Sequence, residues 1–235
     1  MAYQTFGAQI TSLTGMDLSN STNQGYVDSY LTNAARDILN MVPSESLITF
    51  SITSTLDDSP TTFVNAGNSI IISVVRKYDL QSSSSQIGRY RECRQIAASS
   101  VGLAEADSGY LESYSVEDPI YYIQNNTLYV SPTPDATHNA LVHYIHYPTV
   151  LYSESTVDNF PKLLEQAVVY RAAADAARFL FQDEQDEDIF VPMIKDLTNQ
   201  FANSLKLFLS KFGKESPVSQ QAVSKKDQLS KMLGG

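Results

Sequence analysis

The sequence predicts an α+β fold: an N-terminal helix, a central antiparallel β region with hairpins, a C-terminal antiparallel helical hairpin packed as a helix bundle, and an extended C-terminal arm. Three observations predict it. Residues 25–42 repeat apolar side chains at helical spacing, residues 47–147 break into short β-rich runs between polar clusters, and residues 160–212 return to helical spacing.

The first 24 residues are rich in Ser, Thr, Asn and Gly and are expected to form an arm. In residues 25–42, Tyr26, Val27, Tyr30, Leu31, Ala34, Ala35, Ile38, Leu39 and Val42 mark one face of an amphipathic helix, and Pro43 stops it. From 47 to 147 the runs LITFSITSTL, SIIISVVRKY, DPIYYIQNNTLYVSP and NALVHYIHYP read as strands. The clearest hairpin spans 120–130, where Asn125 and Asn126 tolerate the positive φ that a two-residue turn demands. The stretch QSSSSQIG reads as a surface loop.

The first helix of the C-terminal hairpin, 160–181, has Pro161 in its first turn and alanines at 167, 172, 173, 174, 176 and 177. So small a surface lets a neighbouring element approach closely. The second carries Phe190, Ile194, Leu197, Phe201, Leu205, Phe208 and Phe212 in steps of 4, 3, 4, 4, 3 and 4, one apolar stripe. Between them QDEQDED holds Asp183, Glu184, Asp186, Glu187 and Asp188. It lacks the glycine and alternating spacing of a calcium loop, and acids before a helix favour its N-terminal dipole, so a solvated turn and cap is favoured over a metal site.

The last 23 residues are polar and low in complexity, and composition predicts disorder there. Leu229, Met232 and Leu233 nonetheless stand at i, i+3, i+4, a spacing suited to a helical turn docking in a groove. The division that follows is an arm at 1–24, one domain at 25–212 and a docking tail at 213–235.

Charge is unevenly spread. Residues 1–212 hold 12 Lys and Arg against 24 Asp and Glu, a net −12, whereas 213–235 hold 4 against 2, a net +2. So acidic a body repels a phosphate backbone, which argues against non-specific DNA binding but suits a surface that DNA slides past. Against this background Arg76, Lys77, Arg89, Arg91 and Arg94 gather five of the body's twelve cations within nineteen residues. They satisfy either of two roles, internal ion pairs or an intermolecular seam against the acidic turn of an identical neighbour.

Chemistry is sparse. His143 and His146, three apart in a strand, point to opposite faces and cannot share a metal. No HExxH, GxSxG, GxGxxG or P-loop pattern occurs. Cys93, flanked by Arg91 and Arg94, could form a Cys–His pair, but without another triad feature it reads as a small packed side chain. One cysteine allows no internal disulfide. The opening MAYQTFGAQITSLTG lacks a positive start and a continuous apolar run, so no signal peptide is expected, and no apolar run is long enough to span a bilayer. A cytoplasm-like compartment is expected.

The order of parts, YVDSYLTNAARDILNMVP, then RECRQIAA, DPIYYIQNNTLYVSPTP and FPKLLEQAVVYRAAADAARFL with an acidic turn, resembles the head-to-tail connector or adaptor proteins of tailed bacteriophages over residues 25–212. The resemblance implies a structural virion protein rather than an enzyme. Its copies would form a ring, usually twelve-fold, below the portal protein, join it to the tail or a second neck protein, and extend the DNA channel without sequence-specific binding. It implies no cofactor, no metal, no membrane and no catalytic residue, with location in the virion neck after assembly in the host cytoplasm. The candidate subunit-interface residues are then Arg76, Lys77, Arg89, Arg91, Arg94, Asp183, Glu184, Asp186 and Glu187, and the candidate portal-docking residues Leu229, Met232 and Leu233. The alternative is a tail or capsid accessory protein binding another virion component or a host surface; a hydrolase ranks below both for want of motifs.

Overall fold

The computed structural model describes residues 4–58, 62–78, 89–106 and 113–212. Its architecture is α+β, with the long helices gathered on one side of two stacked four-stranded sheets.

The chain opens with a helix where an arm was expected. Helix α1 (Phe6–Thr14) is capped by Thr5, whose hydroxyl accepts from the Ala8 N–H, and ends at Gly15 in the left-handed conformation, φ 76°. Its first amides are satisfied by distant chain: Phe6 N–H donates to the Glu154 carbonyl and Gly7 N–H to the Tyr152 carbonyl, each at 2.7 Å. Phe6, Ile10 and Met16 enter the main core. The arm reading of 1–24 is therefore corrected, because Phe6 and Ile10, with Leu13 half-buried beside them, give so short a helix an inner side. Helix α2 (Ser21–Met41) starts ahead of the expected boundary, since Asn20 caps it by accepting from the Thr22 N–H at 2.8 Å. Most of the expected apolar face is inside: Val27, Leu31, Ala34, Ala35, Ile38, Leu39 and Val42 are buried and Tyr30 is half-buried, whereas Tyr26 is exposed. A short helix α3 (Ser44–Leu47) and a 3-10 turn at Ile48–Phe50 follow, so the first strand begins later than the LITFSITSTL run suggested.

The β region holds strands β1 (Ile52–Leu56), β2 (Phe63–Val64), β3 (Ser69–Tyr78), β4 (Arg89–Glu92), β5 (Arg94–Gln95), β6 (Ile120–Gln124), β7 (Thr127–Ser131) and β8 (Ala140–His146), with a short helix α4 (Val101–Ala106) between β5 and β6. The first sheet has the order β1-β8-β3-β4 and the second β2-β7-β6-β5. Pairing is antiparallel except for the two-residue β5–β6 contact. The β6–β7 hairpin turns on Asn125 and Asn126, φ 50° and 62°, as the sequence predicts. Asn126 also ties this turn to the loop before β3, its carbonyl accepting from Ala66 N–H and its side chain from Gly67 N–H.

The first sheet is the middle layer. On one side Ile70, Ile72 and Ile145 meet the helical core; on the other Leu56, Val74, Ala140 and Val142 pack with Phe63, Leu128 and Val130 of the second sheet.

Helix α5 (Lys162–Glu184) is the axis of the helical side, and α6 (Glu187–Phe212) returns antiparallel along it. All six α5 alanines named above are buried, with α1, α2 and α6 packed around them. The small-residue surface expected to receive a neighbour is thus filled by the chain itself. The α6 stripe is unevenly covered. Phe190, Leu197 and Phe208 are buried, whereas Ile194, Phe201, Leu205 and Phe212 are half-buried against the core. At its end Phe50 closes over α6, its ring 6.0 Å from that of Phe208 and 5.3 Å from that of Phe212.

Candidate functional site

The five clustered cations do not form one surface, because strand register gives them different surroundings. Strands β3 and β4 pair with Arg76 opposite Arg91, Lys77 opposite Tyr90 and Tyr78 opposite Arg89. Residues directly opposite share a face, so Arg76, Tyr78, Arg89 and Arg91 lie on one side of the ribbon. Arg76 is buried, 4% exposed, under the loop that follows β7. Its Nε donates to the Pro132 carbonyl at 2.9 Å, and its two terminal nitrogens to the carbonyls of Lys77 and Thr133. Burial lowers its pKa, opposed by the charge of Asp135. As a seam residue Arg76 is corrected: it is part of the sandwich. Arg94 has the internal role as well, with one nitrogen 3.1 Å from Asp118 Oδ2 and 3.2 Å from the Ser113 carbonyl.

Arg89 and Arg91 are different. All four residues of β4 are exposed, and β4 is an edge strand. The exposed Arg91 places its guanidinium over the Tyr78 ring, 5.0 Å from its centre, a cation–π contact. Lys77 is half-buried on the opposite face, beside Tyr90, whose hydroxyl donates to Asn139.

The acidic turn is a cap on one side only. Helix α5 ends at Gln185, φ 55°, whose N–H returns to the Phe181 carbonyl. Asp186 then starts α6, its carbonyl accepting from Phe190 N–H at 3.1 Å and its carboxylate from Ile189 N–H at 3.4 Å. Glu187 and Asp188 occupy the first turn of α6, where the dipole favours them. Asp183 and Glu184 instead stand in the last turn of α5, where it disfavours them. All of these acids are exposed. Leu229, Met232 and Leu233 lie outside the described residues.

Elsewhere the chemistry is that of a scaffold. The Cys93 thiol is buried, and burial pushes its pKa up to about 12 despite the opposing charge of Arg76. His143 Nδ1 is 2.9 Å from the Thr53 hydroxyl and His146 Nδ1 is 2.7 Å from the Ser69 hydroxyl, so the two rings serve separate contacts. Among the described residues, no three His, Cys, Asp or Glu side chains gather as a metal site would need. Among the same residues, no helix is long and apolar enough to cross a membrane.

Sequence reasoning missed the ion-pair chain that joins α2 to α5. Arg171 approaches Asp37 at 3.8 Å and Asp175 at 3.6 Å, and Arg178 also bonds Asp175. The i, i+3 and i, i+4 spacing of Arg171, Asp175 and Arg178 was the available signal; the reach to Asp37 had none.

No curated protein matches the chain. The family model described as SU10 adaptor protein matches over residues 1–218, which takes in both sheets, every helix of the described residues and the first 24 residues. With the match running through the helical core and both sheets, the chain belongs to the SU10 adaptor protein family of phage adaptors.

Proposed function

We propose that this protein is the head-to-tail adaptor of a tailed bacteriophage. Copies assemble as a ring, twelve-fold by resemblance, below the portal, join it to the tail or to a second neck protein, and extend the DNA channel. The observation that carries the reading is the family match across residues 1–218, because it covers the whole fold rather than a fragment of it. Two physical features support it. The α5–α6 pair is a packed hairpin, with the alanine-rich face of α5 buried among α1, α2 and α6. The acidic body lets DNA pass without trapping it, since 24 acids against 12 cations repel phosphate. Residues 213–235, which reverse the body's charge, dock on the portal or an adjacent subunit through Leu229, Met232 and Leu233. Assembly takes place in the host cytoplasm, and the finished ring resides in the virion neck.

Phage particles made without this protein test the reading. The expected products are filled heads that lose DNA and carry no tails. Tailed particles that retain DNA but fail to adsorb to the host would instead assign the protein to the accessory class.

A further inference from the structure

We propose that Arg89 and Arg91 on β4 receive the acidic α5–α6 turn of a second copy of this chain, so that neighbours meet through two different surfaces. The proposal rests on the ring reading above and names the residues that join its subunits. Among the described residues neither Arg89 nor Arg91 enters an ion pair. Both share a face with the buried Arg76, whose hydrogen bonds go to carbonyl oxygens, and Arg91 lies directly opposite it. Like charges opposite one another weaken a strand pair, so this ribbon carries a cost that an incoming carboxylate removes. The guanidinium fork, held over Tyr78, suits a bidentate carboxylate.

The turn carries the matching cost. Asp183 and Glu184 stand where a helix end calls for cations, and among the described residues none of Asp183, Glu184 and Glu187 is ion-paired. Helix stability does not account for Asp183 and Glu184; a cationic partner does. Among the described residues, no ion pair joins the two patches within one chain. Phe208 packs on Phe50, and the turn lies 21 residues back along α6, about 30 Å away at 1.5 Å per residue. From the Phe50 end, β3 leaves the helical core at Ile70 and Ile72 and reaches β4 only at its far end. Unlike surfaces that complement each other between chains make a heterologous contact, which closes as a ring when the rotation permits. Nucleic acid is the other polyanion that arginines could meet, and the acidic body disfavours it.

Charge exchange tests the contact. Three chains are compared with wild type for copies gathered on portal rings, read by native mass: Arg89→Glu with Arg91→Glu, Glu184→Lys with Glu187→Lys, and all four together. Each pair alone is expected to weaken association between neighbours at least about tenfold, and the four together to restore it to within about threefold. A mixture of Arg91→Cys and Glu184→Cys chains, both with Cys93→Ala, is expected to form a disulfide that neither forms alone; this reading holds even where a reversal impairs folding. If wild-type rings form while the fourfold chain assembles no better than either reversal and no mixed disulfide appears, the seam is overturned and the ring stands. If wild type never exceeds one copy on the portal, the ring reading falls and the seam with it. DNA binding by wild type that Arg89→Glu with Arg91→Glu abolishes would assign the arginines to phosphate instead.

Discussion

Phe208 and Phe201 stand seven residues apart on α6, so the helix directs them to nearly the same side, about 20° apart. Their cover differs nonetheless. Phe208 is 0% exposed, roofed by Phe50 from outside the hairpin and by Phe212 at 4.9 Å between ring centres, whereas Phe201 is half-buried. Truncating a fully buried Phe to Ala costs about 3–5 kcal/mol, the lost transfer energy plus the cavity left behind. Phe201→Ala removes a side chain that still meets water and leaves a site open to refilling, so about 1–2 kcal/mol is expected. At about 2–4 °C per kcal/mol for a domain of this size, Phe208→Ala lowers Tm by about 6–20 °C and Phe201→Ala by much less. Urea unfolding followed by circular dichroism measures both, with the slope m unchanged. A cost at Phe201 equal to or above that at Phe208 would refute the packing of α6 described here.

Four further outcomes follow from single contacts. Gly7→Val is expected to cost about 1–3 kcal/mol, because a Cβ at Gly7 would sit 2.9 Å from the Tyr152 carbonyl oxygen and 3.0 Å from Leu18; an unchanged Tm would show that α1 is not held there. Asn126→Gly keeps the positive φ of 62° but loses the side-chain bond to Gly67, so it is expected to destabilise less than Asn126→Ala, which loses both; the reverse order in thermal melts would contradict the turn. Cys93 has its folded pKa raised by burial from 9.0 to about 12, so its contribution to stability is complete below about pH 9 and is lost as pH climbs toward 12. A thiol reagent at pH 8 is expected to label it in urea and not in the native protein, and equal rates would place the thiol at the surface. Deleting residues 214–235 is expected to leave Tm nearly unchanged and to weaken capture by portal; capture at full strength would remove that segment from the mechanism.

The parts of this fold that were legible in the sequence are those whose signal is local. Asn125–Asn126 carries its own turn geometry, and the 3.6-residue spacing of α2, α5 and α6 is complete within each helix. Helix α1 was hidden because Phe6, Ile10 and Leu13 make only a two-turn pattern in a polar stretch, and its first amides are satisfied by residues nearly 150 positions away. Strand β4, RYRE, has no apolar alternation to announce it, since all four residues are exposed. The same limit applies to the candidate surfaces. The run of cations was visible, but only the β3–β4 register and the loop at Pro132 and Thr133 decide that Arg76 is inside while Arg91 is out. Likewise the stripe of α6 was visible, and the arrival of Phe50 over one end of it was not.

The most direct test of the adaptor account is the mass of the purified protein, measured alone and after mixing with portal rings. The account predicts that portal gathers many copies into one closed ring of defined mass. A stable free trimer that ignores portal would contradict it and point to a fibre or decoration protein.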